Sequence, residues 1–241
     1  MHLRHFIRSL GANLSLPDLT PSDLQRHIDR RSKKKGFHKK PLPLPSTLSP
    51  LHASVLGTAW LTAYRALFTK ARLRPGDTVL VQGATGGMAT ALIQLGRAAA
   101  FEVWATSRTD EGRAKAKELG AHECFPSNEP LPRKVPAVID NVGSATWAHS
   151  MSSLARGGTL VTVGGTTGFE VSLNFLPVLA DQLTITGSIM GTLEDMKNMM
   201  NLIAQAGIEP EIGSVLPMER AEEAFRAMWE GKTRGKAVLT R

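Results

Sequence analysis

Residues 77–99 read DTVLVQGATGGMATALIQLGRAA. Asp77 to Gln82 is a short, aliphatic-rich run. Gly83-Ala84-Thr85-Gly86-Gly87-Met88-Ala89 is small and glycine-rich, and Gly87 to Ala99 carries the apolar period of a helix. A strand that stops at a glycine turn and continues as a helix is the opening unit of a parallel sheet, because parallel neighbours need a crossover. Glycine at the turn permits positive φ and lets the backbone close on whatever lies beside it.

Downstream the same alternation continues. Glu102 to Thr106, Ala137 to Asp140, Thr159 to Val163 and Leu183 to Thr186 read as strands, with a short one at Glu123 to Phe125. Asp110 to Leu119, Ala145 to Ala155, Leu193 to Ala206 and Glu219 to Glu230 read as helices. This order predicts an α/β fold with a doubly wound, six-stranded parallel sheet covered on both faces. Upstream, Pro41, Pro43, Pro45 and Pro50 give a stiff connector that cannot be helical. The domain edge falls there. Residues 1–40 form a basic, partly helical extension, with Thr20 and Pro21 as a helix start, and residues 41–241 form the folded domain.

Composition narrows the function classes. Residues 1–40 hold ten Lys/Arg and three Asp/Glu, net +7, whereas residues 41–241 hold nineteen and eighteen, net +1. The basic face that phosphate recognition needs is therefore missing from the folded part, which argues against a nucleic-acid partner. The run Arg30, Arg31, Lys33, Lys34, Lys35 reads as a solvated segment, with a phosphate-binding arm as the alternative. The single cysteine, Cys124, excludes an internal disulfide framework and fits a reducing, cytoplasmic compartment. Arg4 and Arg8 precede the first acid, Asp18, a composition shared with transit peptides, so a mitochondrial location is the alternative. No apolar run approaches the roughly 20 residues that span a bilayer, and a soluble chain is expected.

The glycine turn carries the first chemistry. Helix N-terminal amides and the helix dipole hold a pyrophosphate, and Ala84, Gly86 and Ala89 occupy the three small-residue positions of a dinucleotide fingerprint. An NAD site places a carboxylate at the end of the second strand. Here Thr106-Ser107-Arg108-Thr109 offers a hydroxyl and a guanidinium, which suit a 2′-phosphate, so the expected cofactor is NADP(H).

Several pieces in order then resemble the medium-chain dehydrogenase/reductase superfamily, and most of all its quinone oxidoreductase branch. They are Leu61 to Leu67, Leu73 to Val81, the glycine loop, Glu118-Leu119-Gly120-Ala121, Val138 to Gly143, Arg156 to Val161, Gly187 to Gly191 and Gly235 to Leu239. The resemblance implies a Rossmann domain in which Gly83, Ala84, Thr85, Gly86, Gly87 and Met88 cradle the pyrophosphate. It further implies that Ser107 and Arg108 face the 2′-phosphate and that Asn141 and Val142 flank the ribose. Gly164 and Gly165 would end the fifth strand. The Ser188 to Met190 backbone would hold the nicotinamide amide, with Thr62 near the ring. Relatives commonly carry a lysine where this chain reads Gly112, with Arg113 beside it. A zinc-ligating cysteine of other members aligns with Thr58, a poor zinc ligand, so no metal is expected. Trp60 is bulkier than usual and would narrow the nicotinamide site. The resemblance also implies that most of an N-terminal catalytic domain is missing and that residues 213–241 would ordinarily pack on it.

No catalytic residue can be named from these residues. Thr62 and Tyr64 fall near the expected cleft, while His52, His122 and His149 lack any partner pattern. The expected activity is zinc-independent, NADPH-dependent transfer of hydride to a small quinone, enone or related activated carbonyl compound. The alternative is a non-catalytic NADPH-binding module acting through dimerisation. Relatives pair the edge strand, here residues 183–188, with a second copy, and a homodimer is expected.

Overall fold

The computed structural model describes residues 42–240, so the helix start at Thr20 and the basic run lie outside the described residues. Two compact units are present. One holds Leu44–Ile212 with Arg234–Lys236, and the other includes Gly213–Thr233 and residues 237–240.

The larger unit opens with a helical segment. Ser49 caps it by accepting from the His52 N–H at 3.2 Å, and Pro50 sits in its first turn. Pro50 therefore begins a helix, α1 (Pro50–Ser54), rather than ending an extended connector: a proline lacks only an amide that the first turn leaves unpaired anyway. Beyond α1 the segment widens to π geometry at Leu56–Trp60, tightens in α2 (Leu61–Tyr64) and widens again at Arg65–Lys70. It buries Trp60, Ala63, Ala66 and Leu67 completely.

The sheet follows: β1 (Thr78–Val81), α3 (Gly87–Ala98), β2 (Glu102–Ser107), α4 (Asp110–Glu118), β3 (Glu123–Pro126), β4 (Val135–Asp140), α5 (Trp147–Ser152), β5 (Leu154–Thr162), α6 (Phe175–Ala180), β6 (Thr184–Gly187) and α7 (Leu193–Ala206). All pairings are parallel and the strand order is β3-β2-β1-β4-β5-β6. That is the doubly wound arrangement, whose order reverses between β1 and β4. β1 is buried along its whole length, as a strand covered on both faces must be. Leu80, Trp104, Val138, Leu154 and Leu160 belong to one core cluster.

Two expectations need correction. The helix expected to reach Ala155 ends at Ser152, and β5 starts at Leu154, because Val135 pairs with Leu154 before the register shifts between Val135 and Ala137, whose partner is Thr159. α6 was not foreseen. The crossover from β3 to β4, residues 127–134, contains no helix.

In the smaller unit β7 (Ser214–Pro217) pairs in parallel with β8 (Ala237–Thr240), and α8 (Ala221–Trp229) lies between them in sequence. Among the described residues no helix is long and apolar enough to cross a membrane.

Candidate dinucleotide site at the switch point

The order reversal opens a crevice above the carboxyl ends of β1 and β4, where open α/β sheets bind ligands. β1 delivers the glycine loop into it. Gly83 has φ +73°, and a Cβ there would lie 2.8 Å from Val142 Cγ2 and 3.3 Å from Asn141 Oδ1, so the position requires glycine twice over. The loop is tied to β2: the Ala84 N–H donates to the Thr106 carbonyl at 2.8 Å and the Gly83 N–H to Thr106 Oγ1 at 3.3 Å. Gly86 is the N-cap of α3 and supplies no side-chain acceptor, which leaves the first amides of α3 and its positive dipole end for an anion. Thr85 and Gly87 complete the turn, and Met88 is half-buried on the first turn of α3.

A lysine joins this loop from the far end of the chain. The Gly235 N–H donates to the Thr85 carbonyl at 3.0 Å, and the Lys236 stem lies across Gly87, where a Cβ would meet Cγ at 2.8 Å. The Lys236 ammonium has no ion-pair partner among the described residues, and burial pushes it down from the ordinary lysine range. Sequence reading placed Lys236 in a family motif without giving it a role. Only the fold brings it to residue 87.

At the end of β2, Ser107 is buried and its carbonyl accepts from Arg113 Nη1 at 2.9 Å. Arg113 also pairs with Asp110. Gly112 lets α4 approach: a Cβ there would fall 2.2 Å from Ser107 Oγ and 2.7 Å from Thr85 Cγ2. Arg108 is exposed and has no partner among the described residues. No carboxylate sits at Ser107 or Arg108, and the nearest in sequence, Asp110, is taken by Arg113.

The ends of β4, β5 and β6 form the rest of the crevice. Gly164 abuts Asn141, with its Cβ position 3.0 Å from the Asn141 carbonyl, and Gly165 lies under the Phe169 ring. A cavity of about 360 Å³ is lined by Thr162, Val163, Gly164, Phe169, Ser188 and Ile189 among others. Thr62 donates to the Thr58 carbonyl at 2.7 Å and accepts from the Met190 N–H at 3.1 Å, holding Met190 at φ +54°. Asn141 Oδ1 and Ser188 Oγ are buried without a hydrogen-bond partner. Unpaired buried polar atoms are costly, so they fit a ligand bearing donors to them. The site residues foreseen thus fall into four groups: the glycine loop with Asn141 and Val142, the β2 end, the β5 turn, and Thr62 with the 188–190 loop.

Under the loop runs a buried network. Asp140 accepts from the Val142 and Gly143 amides, from Thr146 Oγ1 and from Ser150 Oγ. Thr106 Oγ1 donates to Gln82 Oε1 at 2.6 Å, and Gln82 Nε2 lies 2.8 Å from His149 Nδ1 and 3.0 Å from Ser150 Oγ. His149 Nε2 lies 2.8 Å from the Glu129 carbonyl, which fixes the proton on Nε2 and leaves Nδ1 to accept from Gln82. His149 is therefore a partnered, positioning residue and not a lone histidine. Trp60 is fully buried and forms part of the packing; it does not line an open cleft. Tyr64 stacks on Phe68 at 4.4 Å, and burial, with Asp195 and Glu194 adding, pushes its phenol up.

Thr58 is exposed, and the described residues contain no group of three or more His, Cys, Asp or Glu placed to hold a metal. Cys124 lies on β3, the opposite edge of the sheet from β6, and burial pushes its thiol up.

Residues 87–205 match a family model described as zinc-binding dehydrogenase. Mouse quinone oxidoreductase is 33% identical over 217 residues, an alignment that covers 82% of this chain and 65% of the mouse protein. The chain spans less than two thirds of the length of the rodent relatives it matches. A crystal structure of an NAD-dependent alcohol dehydrogenase superposes with a TM-score of 0.77 at 30% identity, covering 83% of this chain and 61% of that one. A mycobacterial protein complexed with NADPH superposes with a TM-score of 0.72 at 25% identity, covering 82% and 66%.

Proposed function

Since this chain belongs to the medium-chain dehydrogenase/reductase superfamily, as a quinone oxidoreductase-like member, we propose that it is an NADPH-dependent, zinc-independent oxidoreductase. Its substrate is a small quinone, enone or related activated carbonyl compound. One observation carries the cofactor choice: β2 ends in Ser107 and an unpartnered Arg108 with no carboxylate, a donor set for a 2′-phosphate. The dinucleotide supplies the hydride when bound.

The chain's own residues bind and orient. Gly83 to Met88 and Lys236 hold the pyrophosphate; Ser107 and Arg108, backed by Arg113, hold the adenosine phosphate. Asn141 and Val142 meet the ribose. Gly164, Gly165, Ser188 and Met190 face the nicotinamide, and Thr62 braces the loop that carries Met190. The zinc-independent reading rests on Thr58. The neighbouring exposed apolar residues Phe175, Leu176, Leu179 and Ile189, beside the free edge of β6, support a homodimer through residues 183–188. Sedimentation as a monomer at micromolar concentration would reject that interface. A cytoplasmic location accompanies this reading.

A second reading, a non-catalytic NADPH-binding module, is favoured by one feature: the cavity above β5 and β6 has no titratable side chain in its lining. One experiment separates the two. Purified chain is titrated with NADPH and with NADH by nicotinamide fluorescence, then mixed with NADPH and a simple quinone. Tight NADPH binding with oxidation supports the reductase; binding without oxidation supports the module. Failure to bind either dinucleotide overturns both.

A further inference from the structure

The crossover between β3 and β4 is unusual. It must pass from the sheet edge behind β2 and β1, yet residues 127–134 contain no helix, whereas parallel crossovers ordinarily run a dozen or more residues and usually include one. The space such a helix would fill is open. Between this stretch and α5 lies a cavity of about 810 Å³, within the range of small-molecule sites. A second cavity of about 510 Å³ shares Lys134, Ala148 and Ser152 with it and adds Trp147, Met151, Leu173 and the Asp181 carboxylate.

The lining of the larger cavity is apolar with one sign of charge. Leu131, Ala145 and Ala148 give apolar wall, Arg133 and Lys134 give the cations, His149 is taken by Gln82 and the Glu129 carbonyl, and no carboxylate lines this cavity. Arg133 is fixed: it donates to Glu102 at 2.5 Å and to Thr78 at 2.9 Å, and stacks 4.5 Å over the Trp104 ring. Lys134 is held loosely, 3.7 Å from Asp181 and 57% exposed. It is the more weakly paired of the two cations and the one placed to meet an anion.

We propose that the larger cavity binds a small anionic amphiphile, its acid group on Lys134 and its apolar body along Leu131 and Ala148, at a site separate from the dinucleotide crevice. The two cations and the lack of a carboxylate in the larger cavity favour an anion, and its apolar wall favours one with a hydrocarbon body.

Octanoate and octan-1-ol serve as the charged and uncharged probes, each titrated calorimetrically into the full chain at fixed ionic strength, with and without saturating NADPH. Octanoate is expected to bind with one-to-one stoichiometry in both conditions, and octan-1-ol at least tenfold more weakly. Lys134→Glu should weaken octanoate at least tenfold with NADPH affinity unchanged. Ala148→Trp, at an exposed position on α5, should abolish octanoate binding without lowering the melting temperature. Absence of octanoate binding, displacement of octanoate by NADPH, or equal binding to the Lys134→Glu chain would each overturn the proposal. Loss of NADPH binding alone would leave this site standing and reject the cofactor reading instead.

Discussion

Arg108→Ala isolates the group on which the choice of dinucleotide rests. Arg108 is exposed and makes no hydrogen bond or ion pair with another described residue, so its removal leaves nothing unpaired and should change folding stability by no more than about 0.5 kcal/mol. Against a 2′-phosphate it offers charge-assisted hydrogen bonds, worth about 1.5–3 kcal/mol. Exposure puts Arg108 at the lower end, about 1.5–2 kcal/mol, which is a roughly ten- to thirtyfold loss of NADPH affinity. NADH lacks the phosphate, and its affinity should be unchanged. The assay is nicotinamide fluorescence titration of both dinucleotides at constant ionic strength, with a thermal scan as control. Equal losses for the two dinucleotides would mean that Arg108 acts on something they share. No loss for either would refute the 2′-phosphate assignment.

Other outcomes follow from neighbouring geometry. Lys236→Met keeps the stem on Gly87 and removes the charge, so both dinucleotides should weaken by about tenfold together, and the salt dependence of binding should flatten. Gly112→Ala gains about 1 kcal/mol of helix propensity but forces a Cβ to 2.2 Å from Ser107 Oγ. Overpacking of that kind costs about 1–3 kcal/mol, and a lower melting temperature with weaker NADPH binding is expected; an unchanged melt would show that α4 can retreat. Burial alone would raise the Asp195 carboxyl, but hydrogen bonds from Thr192 and Arg65 hold it below the ordinary range. Its contribution is therefore present above the unfolded carboxylate value, about 3.9, and lost as pH falls through the folded one. Asp195→Asn should cost about 2 kcal/mol in neutral urea melts and progressively less on acidification; a pH-independent deficit would contradict the assignment.

The sequence showed the glycine loop clearly because its requirements are local: a β run, a positive-φ turn and a helical period within a few residues. The succession of strands and helices along the chain was legible for the same reason, one alternation after another. Other features depend on partners far along the chain. α6 escaped notice because its six residues, FLPVLA, are all apolar and include Pro177, so no polar face marks a helical period. β5 was started late because Gly157-Gly158 looks like a turn, although Leu154 already pairs with Val135. The π turns around α2 break the 3.6-residue period that sequence reading relies on. His149 looked solitary because its partners, Gln82 and the Glu129 carbonyl, come from a strand end and a loop.

The contact between the glycine loop and Gly235 has a temporal meaning. Gly86 forms a bridge with Gly235, and Lys236 lies over Gly87, so a turn made early in the chain is clasped by residues made at its far end. At ribosomal speeds of roughly 5–20 residues per second, β1 and α3 wait on the order of ten seconds for that clasp. A nascent chain stopped short of Gly235 has all six strands of its main sheet and an unfastened loop. If the loop and Lys236 hold the dinucleotide as proposed, full affinity would arrive only once Gly235 and Lys236 have been made.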